Sequence, residues 1–174
     1  MALREIITEP SEILRKKSLP VDVVDEDLQQ LMNDMLETMY AAPGIGLAAI
    51  QIGVPKRVIV LDIARKDEPK NPMYFINPEI ITKSETNSTY EEGCLSVPGQ
   101  FAEIDRPNKC QIKYLDYYGE AKQIQAEGML ATCIQHEMDH LEGILFIDYL
   151  SKLKKTMIVK KLSKQKKELE RIVV

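Results

Sequence analysis

The chain has 174 residues, 44% hydrophobic and 29% charged, with a net charge of -4. That balance is typical of a globular protein, and the chain is long enough to bury a core as a single domain over 1-174 without staples. Met1–Pro20 starts with charges and holds no long apolar run. Neither a secretory signal nor a membrane span is therefore expected, and the expected compartment is cytoplasmic. Cys94, Cys110 and Cys133 are an odd set, which argues against a disulfide framework. Charge is uneven along the chain. Lys152–Arg171 carries nine basic residues against Glu168 and Glu170, net +7, which leaves -11 for the rest. A basic tail on an acidic body suits an anionic partner, or is simply a solvated helix face.

Taken in order, Ile6–Pro10 reads as extended, and Ser11 as the cap of a short helix over Glu12–Arg15. From about Asp25, Leu28, Leu31, Met32, Met35, Leu36 and Met39 recur at spacings of three and four, which predicts an amphipathic helix facing a core. Pro43-Gly44-Ile45-Gly46 ends it in a loop. Gly44-x-Gly46 lacks the third glycine and following helix of a dinucleotide site, so no nucleotide is expected there. Arg57–Ile63 is β-branched enough for a buried strand, and Tyr74–Ile76 and Glu79–Lys83 are two more strands split by Asn77-Pro78. Glu103-Ile104, Gln111–Leu115 and Lys122–Ala126 alternate polar with apolar residues, as strands with one wet face do, and Tyr117–Glu120 turns between two of them. A last helix is predicted over about 151-171, with Leu153, Met157, Leu162 and Leu169 as a thin apolar stripe.

Both histidines of the chain lie in Gln135–Gly143. On a helix of about 100° per residue, His136 and His140 fall roughly 40° apart and one turn, about 5.4 Å, along the axis, so two imidazoles can reach one ion. Glu137 lies on the same side, placed to touch a water on that ion and poorly placed to be a third ligand, which is the position of a base. On this motif alone, two half-buried helix histidines and a solvated glutamate remain the alternative. Cys94, between Gly93 and a short segment stopped by Pro98, sits at a strand edge or loop from which its sulfur can meet a helix. One thiolate and two imidazoles leave a fourth position open, the ligand count of a catalytic metal. A buried apolar cysteine is the other reading of Cys94. Cys110 suits that fate better, and Cys133 can line a pocket. A three-histidine site fails because Phe146 stands where the third histidine is needed. A glutamate third ligand fits poorly, because Asp148, Glu168 and Glu170 are the only acids beyond Glu142. A metal-dependent endoprotease and a metal-stabilised binding protein without turnover thus stand beside the catalytic hydrolase.

Gly44-Ile45-Gly46-Leu47-Ala48-Ala49-Ile50-Gln51, Glu92-Gly93-Cys94-Leu95-Ser96 and Gln135-His136-Glu137-Met138-Asp139-His140-Leu141 resemble the three motifs of the peptide deformylase family, in the family's order. The resemblance covers nearly the whole chain, including the helical tail of the shorter bacterial type. It implies an α+β fold with antiparallel β-sheets around a central metal-bearing α-helix and a C-terminal helix. It also implies that Cys94, His136 and His140 hold one divalent metal ion and that Glu137 is the general acid/base, with the Gln51 amide and the Leu95 N–H holding the oxyanion. Fe2+ is the implied physiological ion, with Zn2+, Ni2+ or Co2+ able to occupy the site in preparations. The implied substrate is the N-formyl-methionyl nascent peptide, which releases formate, and Glu92 and Arg106 are the implied ion pair beneath Cys94. Gly44-Ile45-Gly46 is expected to pair with the substrate backbone, and Ile45, Met129, Thr132 and Cys133 to line the methionine pocket. The basic tail is expected to dock on ribosomal RNA, and no membrane partner is expected. Ile50, Phe101 and Thr132 depart from the family pattern, where proline, a basic residue and an aliphatic residue are respectively common. These departures bear on substrate preference and leave the metal set intact.

Overall fold

The computed structural model describes residues 2–173, and its first long element is helix α1, Glu26–Ala41. Asp25 starts the helix: its extended backbone leads in, and its carboxylate accepts the Leu28 N–H at 2.9 Å. Leu28, Leu31, Met32, Met35 and Met39 are buried along one stripe, with Leu36 partly buried beside them. Upstream, Glu12–Arg15 forms one 3-10 turn, but the Ser11 side chain makes no capping bond, contrary to expectation.

Strands β1 (Gly46–Ala48) and β2 (Val58–Leu61) pair antiparallel, and β2 is buried at every position. The reason lies in the period of two. Val58 and Val60 pack with α1, while Ile59 and Leu61 point through the sheet to the other core. A strand covered on both faces reads as a continuous apolar run, as this one does.

Strand β3 (Met73–Lys83) continues through Asn77-Pro78 where two separate strands were expected. A bulge absorbs the pair. Asn77 takes φ 51, and the register with the neighbouring strand shifts between Ile76 and Glu79. The Asn77 side chain clasps Val21 at both backbone groups, accepting from its N–H at 2.8 Å and donating to its carbonyl at 2.9 Å.

Strands β4 (Asn87–Cys94) and β5 (Val97–Pro107) form a separate two-stranded sheet. Pro98, expected to stop the segment after Cys94, is instead the second residue of β5. There it sits at the start of a strand with no second neighbour, so its missing N–H breaks no ladder. Strands β6 (Lys109–Leu115) and β7 (Ala121–Glu127) complete a five-stranded antiparallel sheet in the order β1-β2-β3-β6-β7. Tyr117–Glu120 makes the turn, with Gly119 at φ 84 and the Asp116 carboxylate accepting the N–H groups of Tyr118 and Glu120.

Helix α2 (Gly128–Leu141) comes next and packs Ala131, Ile134 and Leu141 on Ile59, Leu61, Phe75 and Ile112. Gly143, at φ 76, ends the helix region where an added Cβ would run into the Arg15 carbonyl. Helix α3 (Lys152–Val173) is anchored by Leu162, with Ile158 and Val159 against Val97, Ile104 and Phe146. The expected stripe is therefore only partly packed, because Leu153, Met157 and Leu169 are exposed. Among the described residues no helix is long and apolar enough to cross a membrane.

Candidate metal centre

Helix α2 buries His136, Glu137 and His140 on the side that meets β1 and the β4-β5 hairpin. Cys94 is the last residue of β4, and Leu95-Ser96 is the turn into β5. The donor atoms of Cys94, His136 and His140 lie within 4.8 Å of one another, with Cys94 Sγ 3.4 Å from His140 Nε2. Bond lengths near 2.0–2.3 Å impose an S···N separation of roughly 3.5 Å on a tetrahedral ion, so one divalent ion fits. Cys133 behaves differently. Burial, helped by Glu137 and Glu92, pushes its thiol up to about 12, and its sulfur is not among the converging donors.

An ionic network fixes the first imidazole. Glu92 Oε1 lies 2.9 Å from His136 Nδ1, which turns Nε2 toward the other two donors. Arg106 grips the Glu92 carboxylate with Nε at 2.7 Å and a second guanidinium nitrogen at 3.0 Å. It also donates to Asp139 at 2.9 Å, and Asp139 in turn accepts from the Tyr149 hydroxyl at 2.7 Å. Burial raises the Glu92 carboxyl, but the bonds from His136 and Arg106 outweigh it and hold the group below its ordinary value. Burial lowers His136, yet the contacts with Cys94 and Glu92 leave it well above the usual imidazole range. His140 is held well below that range by burial and by His136.

Glu137 projects beside the donor set, with Oε1 4.0 Å from His136 Nε2. Its Oε2 is buried and has no hydrogen-bond partner among the described residues. Burial raises its carboxyl to about 7, against the pull of His136 and Arg106. A carboxylate poised there can take and return a proton near neutral pH. Gly46 makes the approach possible, since an added Cβ would stand 2.7 Å from Glu137 Oε1.

Gln51 sits in the 3-10 turn Ala49–Ile52 that comes after β1. Its Oε1 accepts the Ala48 N–H at 2.9 Å, which commits the NH2 end to the site. Nε2 donates to Ser96 Oγ at 2.9 Å and faces Cys94 Sγ at 3.6 Å. The N-terminal segment braces both sides of this contact, because the Ile7 N–H donates to the Gln51 carbonyl and the Glu9 N–H to the Ser96 carbonyl. Leu95 is the first turn residue of the hairpin, so its N–H stands outside the ladder.

A cavity of about 580 Å³ opens onto the centre between Gly44-Ile45-Gly46 and Gly93–Leu95. One wall is β1, the edge strand of the large sheet. Thr132 and Cys133 are buried in its lining, while Ile45 and Met129 stand more open, at 46% and 44% exposure. All the pocket residues named from sequence are thus brought to one cavity. Ser96, Asp139 and Tyr149 were missed. Ser96 and Asp139 lie inside stretches singled out for their neighbours, whereas nothing local marks Tyr149.

Residues 3–156 match the family described as Polypeptide deformylase. The chain is 64% identical to a peptide deformylase of Pelagibacter ubique over the full length of both, and 59% identical to one of Phenylobacterium zucineum over 96% of this chain and 99% of that one. Among solved structures, it is similar to the peptide deformylase of Ehrlichia chaffeensis in complex with actinonin. That match has a TM-score of 0.91 at 43% identity and covers 95% of this chain and 98% of the other. A peptide deformylase from Legionella pneumophila gives a TM-score of 0.89 at 46% identity over 98% and 99%.

Proposed function

The chain belongs to the polypeptide deformylase family and is a metal-dependent hydrolase that removes the N-formyl group from nascent peptides; on that footing we propose the part each residue plays. Residues 1–174 act as one catalytic domain in the cytoplasm. Cys94, His136 and His140 hold the ion, physiologically Fe2+, although one thiolate and two imidazoles also accept Zn2+, Ni2+ or Co2+. When bound, a divalent ion acidifies water and polarises a carbonyl.

Glu137 accepts a proton from the attacking water on its buried, unpartnered oxygen and delivers it to the amine that leaves. Water and the formamide thereby give formate and a free amino terminus. Charge that develops on the formyl oxygen is met by Gln51 Nε2 and the Leu95 N–H, both held in place before substrate arrives. Glu92 and Arg106 keep the His136 ring aimed. Gly44-Ile45-Gly46, which leads into the free edge of β1, pairs with the extended substrate backbone, and Ile45, Met129, Thr132 and Cys133 receive the methionine side chain.

The observation that carries this reading is a partnerless carboxylate oxygen of Glu137 beside three converging metal donors. Glu137→Gln, loaded with metal to the wild-type level, is expected to lose about 10² to 10⁴ in kcat. Unchanged turnover in that variant would remove Glu137 from the role. The basic face of α3 is assigned to ribosomal RNA near emerging chains. Binding that does not weaken with salt, or that survives truncation at Ser151, would contradict that assignment.

A further inference from the structure

We propose that the groove between β5 and α3 receives the substrate polypeptide downstream of its formylated methionine, from about the third or fourth residue on. The inference rests on the deformylase reading and adds a second binding region to it. The groove encloses about 650 Å³. Ala102, Leu150 and Ile158 line its apolar floor, and Met157 stands at its rim with 62% of its surface exposed. Lys154 and Lys161, seven residues apart on α3, lie along one side. Glu103 faces them from β5, so the groove carries two positive charges against one negative.

Two observations connect this groove to the catalytic cavity and specify its occupant. Gln100 and Phe101 border both, so the two hollows share a rim. Phe101 also pairs across the hairpin with Gly93, immediately before Cys94, and its ring lies where an added Gly93 Cβ would be only 2.5 Å away. The ring is therefore a flat apolar ledge beside the metal donors, 64% exposed. An extended peptide advances about 3.3–3.6 Å per residue, so one seated at Cys94 passes this ledge within about two or three residues. The peptide residues beyond the ledge lie over Met157 and between the lysines. Lys155 is not part of this surface, being paired with Asp148 at 2.7 Å.

The test compares formyl-methionyl dipeptide with formyl hexapeptides that carry either aspartate or lysine at positions four to six. For the wild type, kcat/KM is expected to rise about 3- to 10-fold from dipeptide to acidic hexapeptide, mostly through KM, and the lysine peptide to gain little. Lys154→Glu with Lys161→Glu should invert the charge preference, and Met157→Asp should abolish the length gain, while both keep the dipeptide rate. No length gain in the wild type, or a charge preference unmoved by the double substitution, would overturn the proposal. Absence of formate even from the dipeptide would instead overturn the deformylase reading beneath it.

Discussion

Replacing Gly46 with alanine tests the carboxylate's position without touching any group that does chemistry. The new methyl carbon would stand 2.7 Å from Glu137 Oε1 and 2.7 Å from Leu61 Cδ2, whereas ordinary contact begins at 3.4 Å, a shortfall of about 0.7 Å. Neither neighbour can retreat into solvent, because Leu61 is fully buried and Glu137 is 5% exposed. Overpacking of this kind costs about 1–3 kcal/mol of stability, so the variant should still fold. A displacement approaching 1 Å at a reacting group costs about 10² in rate. The expected result is normal metal content, a modest loss of thermal stability and a kcat near one hundredth of the wild type, read by formate release from a formyl-methionyl peptide. A folded, metal-loaded Gly46→Ala protein with kcat within about threefold of wild type would refute the claim that this contact positions Glu137.

Other perturbations are set by the same geometry. Arg106→Met strips a buried carboxylate of its main partner and should cost about 3–5 kcal/mol. It should also weaken metal binding by about 10- to 100-fold through the freed His136 ring, as measured by metal competition. Combined with Glu92→Leu, its loss should be smaller than the two single losses together, and additivity would contradict the network. Gln51→Leu should lower kcat by about 10² to 10³ with little change in KM, and an effect on KM alone would remove Gln51 from the oxyanion site. Asp34 is raised by burial, but the Ala2 N–H, the Gln30 amide and the Arg4 guanidinium more than offset this and hold its carboxyl below the ordinary 3.8. Its folded value lies under its unfolded one, so its stabilisation is complete above the unfolded value and fades as pH falls through the folded value. Asp34→Asn should therefore lower stability at neutral pH and flatten the acid limb of a stability-pH curve; an unchanged acid limb would count against it.

What could be read from sequence was what short spacing encodes. The α1 stripe, the apolar run of β2 and the two-histidine turn of α2 each depend on residues within one or two turns of one another, and each appears where its period placed it. Strand β4 was not found because Asn87–Cys94 is largely polar and its sheet has only two strands, so no apolar alternation marks it. Asn77-Pro78 looked like a break because its compensation comes from Val21, 56 residues away. The α3 stripe was misplaced for a similar reason. Only the turn around Ile158, Val159 and Leu162 meets the core, and helical period alone does not say which turn will. At the site, the donor types were visible as motifs, whereas Ser96, Asp139 and Tyr149 owe their places to contacts across the fold with Gln51 and Arg106.

Deformylation is read directly from its product. Protein prepared without oxygen and loaded with Fe2+ should release one formate for each free methionyl amino terminus produced from a formyl-methionyl peptide, and should leave internal peptide bonds intact. Internal cleavage without formate would contradict the account.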